Sequence, residues 1–287
     1  MSFTPNYEVP ELRRPYTLQA NSEAANPKRI GCLMLHGFLG SPGSSRPMGE
    51  YLAHRGITIH YPLLPGHGSY PDKLYKISHK AWMAEAEEGL QKLRQMCDQV
   101  FIIGHSMGTV MGAYLSTKYD DLNGMVMLTP LYALPDYRLR LMRLLRYVMP
   151  WFYPHKSRSM GDLVRQRVLD FDPTIDFDAP EIQARLPEIT RVPTSGLDEM
   201  VKMVDLGKKL WTQLTLPVLI FQGGDDPAVP AGTIQKIFDM LPSKDKQLKT
   251  FPEAGHELMR PFEPAHKKVW SLIHQFFLDQ SQTASPA

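Results

Sequence analysis

The sequence predicts an α/β fold, with a mostly parallel central sheet that carries helices on both faces. Short apolar, β-branched runs alternate along the chain with longer amphipathic stretches, as expected for strands joined by crossover helices. Such crossovers place helices on both faces of a parallel sheet. With 287 residues and 43% hydrophobic content, the chain is long enough for one large core with an insertion.

The predicted elements follow one another in order. We predict strands at 29–35, 58–63, 99–104, 124–129, 217–222 and 247–251, and helices at 45–55, 79–96, 106–118, 231–241 and 264–278. Residues 131–195 break this alternation, because they are rich in proline, arginine and aromatic residues and contain no clear strand. They indicate a helical cap (lid) inserted between two core strands. We therefore expect the core at 1–130 and 196–280, the cap at 131–195 and a disordered tail at 281–287.

Composition excludes several classes of protein. Lysine and arginine number 32 against 30 acidic residues, so the net charge of +2 gives no reason to expect a nucleic-acid partner. The two cysteines, Cys32 and Cys97, are too few for a disulfide framework and indicate a reducing compartment. The first residues do not resemble a secretory signal, and no apolar run reaches about 18 residues. We expect a cytoplasmic protein without a membrane span, and the oligomeric state stays open.

The motif GHSMG, at 104–108, predicts a nucleophilic serine. It follows the apolar run QVFIIG and precedes a helix-compatible stretch, so it falls on a strand, a sharp turn and a helix. A serine on such a turn is held in strained geometry with its hydroxyl above the sheet, while the flanking glycines let strand and helix approach. Ser106 is the predicted nucleophile.

A serine hydroxyl needs a base within hydrogen-bond reach and an acid that orients the base. His256, in FPEAGHEL, follows the last predicted strand and precedes the final helix, at the carboxyl edge of the sheet where ligands bind in such folds. The acid is expected between Ser106 and His256, in the loop GGDDPAVP. Spacing alone leaves Asp225 and Asp226 as alternatives there.

The negative charge that develops on the carbonyl oxygen of an acyl substrate needs two hydrogen-bond donors. The backbone amide of Met107, directly after the nucleophile, is one. The loop HGFLGSPGS after the first predicted core strand supplies the other, which we assign to the amide of Phe38. We interpret His36 as a residue that supports this loop.

With these motifs in place, the sequence resembles the α/β-hydrolase superfamily, and within it the bacterial carboxylesterases and monoacylglycerol lipases. The likeness covers about 30–278. In that family the acid lies in the pattern D-x-x-V-P, which 226–230 fit, so the resemblance selects Asp226 over Asp225. The stretch LPGHGSYP, at 64–71, is similar to a loop of the same family, which makes His67 a structural residue.

The cap contains one basic amphipathic stretch, at 137–149. On a helix, five of its apolar residues share one side and three arginines share the other: Tyr137, Leu141, Leu144, Leu145 and Val148 against Arg138, Arg143 and Arg146. Such a stretch is typical of a cap helix with a solvated charged face, and transient contact with a lipid surface is the alternative. The aromatic residues Trp151, Phe152 and Tyr153 are candidates for lining an acyl pocket.

These residues together predict a serine hydrolase that cleaves carboxylic esters through an acyl-enzyme, of the carboxylesterase or monoacylglycerol lipase type. A thioesterase, a lysophospholipase, a peptidase or an enzyme that cleaves carbon–carbon bonds could use the same residues. No cofactor and no metal are expected. A ligand-binding protein that keeps the fold without turnover is the hypothesis from another class.

Overall fold

The structure is a computed structural model, and it describes residues 3–21, 28–134, 136–154, 164–165, 168–170, 172–229 and 232–283. Within these residues, a seven-stranded sheet has the order β1-β3-β2-β4-β5-β8-β9. Its strands are β1 Tyr16–Leu18, β2 Ile30–Leu35, β3 Ile57–Tyr61, β4 Gln99–His105, β5 Gly124–Leu128, β8 Val218–Gly223 and β9 Lys246–Phe251. All neighbours pair in parallel except β1, which is antiparallel to β3. The predicted mostly parallel sheet is confirmed.

Alternate side chains of the central strands enter two separate cores. In β2, Leu33 and Leu35 face one core, while Cys32 and Met34 face the other. All residues of β2 and β4 are buried, because both faces of the sheet are covered.

Helices cover both faces of the sheet. Those that contribute to the first core are α2 His79–Arg94, α3 Met107–Lys118, α6 Thr194–Leu210 and α7 Thr233–Met240. Those on the second face are α1 Arg46–Ala53 and α8 His266–Thr283. The sequence prediction missed α6 and β1. Helix α8 continues to Thr283, so residues 281–283 of the predicted disordered tail are helical, and 284–287 lie outside the described residues.

The segment 131–195 departs from its prediction in two ways. It contains two short strands, β6 Trp151–Phe152 and β7 Val192–Pro193, which pair antiparallel where we expected no clear strand. Its described residues also include the helices α4 Met142–Leu145 and α5 Pro180–Thr190. Helix α6 begins at Thr194, so the predicted border between 195 and 196 falls inside a helix.

The predicted helix at 137–149 is instead a 3₁₀ turn, Tyr137–Leu141, followed by the single turn of α4. Of the three arginines predicted on the solvated face, Arg138 and Arg143 have exposed side chains, whereas the side chain of Arg146 is largely covered. Arg143 and Arg146 pair with Asp198 of α6, whose side chain is only 2% exposed. Tyr137 and Leu144 face outward, with 82% and 71% exposure, whereas Leu139 is buried.

None of the helices in the described ranges combines the length and the apolar character that a bilayer crossing requires.

Candidate active site

Ser106 stands on a strained turn between β4 and α3. Its φ of 51° and ψ of −115° lie in a region that residues with a side chain rarely adopt. Both flanking glycines are required for this turn. A Cβ on Gly108 would overlap the carbonyl oxygen of Leu35, and a Cβ on Gly104 would lie 2.6 Å from the carbonyl carbon of Gly108. The sequence motif therefore forms the sharp strand-to-helix turn that was predicted from it.

His256 lies in the loop after β9 and is fixed through its backbone. The amide of the preceding residue, Gly255, donates to Glu263 Oε2 at 3.0 Å. The carbonyl of His256 accepts hydrogen bonds from Thr129 Oγ1 and from His105 Nε2, both at 3.1 Å. The His105 and His256 rings pack together, with their centroids 4.9 Å apart. Since His105 directly precedes Ser106, these contacts hold His256 beside the nucleophile's turn.

Asp226 makes the contact expected of an orienting acid. Its Oδ2 lies 2.9 Å from His256 Nδ1, and its Oδ1 accepts the amides of Ala228 and Val229. A carboxylate only accepts, so Nδ1 of His256 carries the proton and Nε2 keeps the free lone pair of a base. Burial raises the pKa of Asp226, but its hydrogen bond and charge interaction with His256 and the two amides lower it below the usual value.

Asp225 is exposed, in contrast to the buried carboxylate of Asp226. In the part of the chain that the structure describes, the hydroxyl of Ser106 makes no hydrogen bond to the ring of His256. Hydrogen bonds of this kind are often long in ligand-free sites and shorten when substrate binds.

The loop after β2 lies against Ser106. A Cβ on Gly37 would be 3.1 Å from the Cβ of Ser106, so the backbone that leads to Phe38 borders the serine directly. His36 supports this loop: it accepts the Leu64 amide at Nε2, and its Nδ1 lies 2.9 Å from the carbonyl oxygen of Gly37. Because Nε2 is the acceptor, Nδ1 carries the proton and donates to that carbonyl. Met107 begins α3, so its amide lies at the end of the helix where backbone donors lack intrahelical partners.

The three aromatic residues suggested for an acyl pocket do not share one environment. Phe152 packs against the apolar cluster of the segment 131–195, and Phe38 and Leu39 of the loop after β2 pack against the same cluster. Trp151 stacks on Tyr75 with ring centroids 5.3 Å apart, and the guanidinium of Arg191 covers its ring at 4.3 Å. Tyr153 is 38% exposed. Of the three, Phe152 shares an apolar cluster with residues of the loop beside Ser106.

Comparison with known proteins identifies the family. The model of the family described as "Serine aminopeptidase, S33" matches residues 26–265. The chain belongs to this family. A thermostable monoacylglycerol lipase from Bacillus sp. (strain H-257) is 30% identical over 230 residues, which are 79% of this chain and 82% of the lipase. A carboxylesterase of Bacillus subtilis (strain 168) is 22% identical over 269 residues, which are 91% of this chain and 96% of the esterase.

A solved structure, the monoacylglycerol lipase of Paleococcus ferrophilus, has the same fold as this family member. Its TM-score is 0.70 at 21% identity, and the match covers 93% of this chain and 99% of the lipase. The predicted resemblance to α/β-hydrolases, and among them to carboxylesterases and monoacylglycerol lipases, is confirmed.

Sequence analysis missed three residues that hold the candidate triad in this family member. Gln222 donates to Asp226 Oδ2 at 3.3 Å, Glu263 binds the Gly255 amide, and Thr129 binds the His256 carbonyl. Gln222 and Thr129 lie at the carboxyl ends of β8 and β5, the edge where the site was expected. Their place at the carboxyl ends of strands was the only sequence signal for these two residues. Glutamine and threonine as residue types did not indicate a role in the site.

Proposed function

We propose that this chain is a serine hydrolase that cleaves carboxylic esters with Ser106, His256 and Asp226 as its catalytic triad. The observation that carries the proposal is the 2.9 Å contact between Asp226 and His256 Nδ1 at the sheet edge where Ser106 stands on its strained turn. The relatives support ester chemistry, because those described above are lipases and an esterase.

The reaction proceeds in two steps. His256 Nε2 takes the hydroxyl proton while Ser106 attacks the ester carbonyl, and the proton then passes to the leaving alcohol. A water molecule, activated by the same imidazole, releases the acid and restores the serine. The amides of Phe38 and Met107 stabilise the oxyanion, and each such donor contributes about 3–4 kcal/mol in well-studied enzymes. Asp226 keeps the imidazole in the tautomer that accepts at Nε2 and stabilises the imidazolium.

The substrate class is an ester with an apolar acyl chain, and the segment 131–195 acts as the cap over its site. The cap's apolar cluster, which includes Phe177, Ile189 and Val192, reaches Phe38 and Leu39 beside the nucleophile. An apolar surface next to the oxyanion loop suits an acyl chain. Monoacylglycerols are the first candidates, because the 30% identical relative is a monoacylglycerol lipase.

We also propose that the cap touches the lipid phase that supplies such esters. Tyr137, Leu144 and Val148 form an exposed apolar surface there, each more than 70% exposed. Arg143 and Arg146 pair with acidic residues of α6, so their charge is compensated beside this apolar surface. An apolar surface of this kind gains free energy by entering a lipid interface.

A fluorophosphonate probe and a series of esters test the proposed reaction. We expect the wild-type protein to label at Ser106 and to hydrolyse p-nitrophenyl esters and monoacylglycerols. Ser106→Ala should remove labelling, and both Ser106→Ala and His256→Ala should lower turnover by several orders of magnitude with an unchanged fold. Wild-type rates in either variant would overturn the assignment. Cleavage of aminoacyl amides in preference to esters would replace the ester with a peptide as the substrate.

A further inference from the structure

The carbonyl oxygen of His256 has two side-chain donors. Thr129 Oγ1 and His105 Nε2 each donate to it at 3.1 Å. A carbonyl has two lone pairs, so these donors together saturate it. His105 ends β4 and Thr129 directly follows β5. These donors therefore connect the backbone of the His256 loop to the strand that carries Ser106 and to its neighbour.

Thr129 reaches this carbonyl from a strained backbone. Its φ is 43°, in the left-handed region that a β-branched residue avoids, and it precedes Pro130, which favours an extended conformation instead. The residue is fully buried, and its amide donates to the carbonyl of Phe221 at 2.9 Å. Three of the four non-glycine residues with positive φ in the described chain border this site: Leu39, Ser106 and Thr129. Strain of this kind persists where the surroundings impose it, and it gathers at functional sites.

We propose that Thr129 is a positioning residue that, together with His105, fixes the backbone of His256 so that its imidazole stays within reach of the Ser106 hydroxyl. The inference rests on the proposed function, because it gives His256 the role of base. Three attachments then define the imidazole's position: the amide of Gly255 on Glu263, the carbonyl of His256 on Thr129 and His105, and Nδ1 on Asp226.

These attachments matter because His256 exchanges a proton with two different oxygen atoms in one catalytic cycle. It accepts the proton of the serine hydroxyl and donates it to the leaving alcohol, so a displaced ring hinders both transfers. A misplacement of about 1 Å can cost about 10²-fold in rate. Asp226 alone fixes one ring nitrogen, and the backbone attachment fixes the main chain from which the ring projects.

The test compares Thr129→Val with Thr129→Ser. Valine keeps the volume and the β-branch but loses the donor, whereas serine keeps the hydroxyl. We expect Thr129→Val to lower kcat by about 10- to 100-fold per fluorophosphonate-titrated site with little change in KM, and Thr129→Ser to stay within about threefold of wild type. Thr117→Val is the matched control, because Thr117 of α3 also donates its hydroxyl to a carbonyl, that of Tyr114, at 2.9 Å. Its kcat should equal that of the wild type.

A merely structural role for Thr129 gives another pattern. In that case Thr129→Val lowers the melting temperature and the fraction of protein that labels, while kcat per labelled site stays at the wild-type value, and the inference is overturned. Combination with His256→Ala separates this failure from failure of the proposed function. If His256 is the base, His256→Ala suppresses labelling and Thr129→Val adds no further loss. An active His256→Ala protein would overturn the proposed function itself.

Discussion

Asp226 and Asp225 are neighbours that the structure gives opposite surroundings. The carboxylate of Asp226 accepts hydrogen bonds from His256 and two amides, whereas Asp225 is exposed. We expect Asp226→Asn to lower kcat by about 10⁴-fold, because an amide at this position favours the tautomer that leaves Nε2 unable to accept a proton. Steady-state hydrolysis of a p-nitrophenyl ester measures the loss.

Asp225→Asn is the natural control for this substitution. It should keep kcat within about twofold of wild type, since no catalytic contact of the exposed side chain is altered. A silent Asp226→Asn beside an inactive Asp225→Asn would transfer the acid's role to Asp225.

At the scale of single residues, the sequence was informative where a local motif demands one geometry. GHSMG at the end of an apolar strand predicts a strained serine, because glycines two residues before and after the serine let strand and helix come this close. The choice between Asp225 and Asp226 depends on which side chain turns toward a histidine 30 residues away, and only the family resemblance separated them. Thr129 was not predictable, because a threonine before a proline gives no sign of the residue that its hydroxyl binds.

At the scale of elements, the proposed cap segment shows that an amphipathic pattern does not determine which face is covered. Arg143 and Arg146 pair with Asp198 and Asp205, which follow more than 50 residues later in the chain. Burial raises the pKa of Asp198, but hydrogen bonds from Lys202 and Arg146 bring it below the usual value. Acidic residues on α6 thus pair with two arginines of the segment while Leu141 and Leu144 stay exposed, an outcome that periodicity alone cannot indicate.

The exposed apolar surface of the cap can be tested at Leu144, which is 71% exposed. We expect Leu144→Glu to reduce binding to phosphatidylcholine vesicles containing monoacylglycerol by about tenfold or more, because burial of a leucine in lipid is worth about 1.5–3 kcal/mol. Cosedimentation with the vesicles measures the bound fraction. Turnover of a short, water-soluble ester should be unchanged.

Leu12 is equally exposed but lies near the amino terminus, so Leu12→Glu controls for added charge alone. Equal loss of vesicle binding in both variants, or no loss in either, would contradict a lipid contact through the cap.

At the scale of the whole molecule, the alternation of strands and helices was predictable because buried parallel strands must be apolar on both faces. The six predicted strands are all present, with ends within two residues of the expected ones. Strand β1 was missed because three residues, YTL, are too short for a periodic signal. Helix α6 was missed because it begins inside the segment assigned to the cap and continues into the core.

The stability of the whole fold should fall between pH 6.5 and pH 4 through His67. Its Nδ1 donates to the carbonyl of Pro65 at 3.1 Å. Nε2 is buried against the rings of His36 and Trp82 and has no hydrogen-bond partner among the residues that the structure describes. Burial lowers the pKa of His67 to about 4, although its hydrogen bonds to the backbone oppose the shift. The unfolded chain binds a proton at this residue below about pH 6.5, while the folded chain stays neutral until about pH 4.

Acidification therefore favours the unfolded state across this window. Once the pH is below about 4, His67 has lowered the free energy of unfolding by up to about 3 kcal/mol. Urea unfolding at a series of pH values measures it. Burial also lowers the pKa of His60 to about 4, so His60 destabilises the fold in the same pH range. The contribution of His67 is therefore measured with a variant at that residue alone. His67→Asn keeps an amide that can donate to Pro65 but cannot titrate, and its stability should depend less steeply on pH than that of the wild type between pH 6.5 and 4. Parallel curves for the two proteins would show that the proton uptake occurs elsewhere.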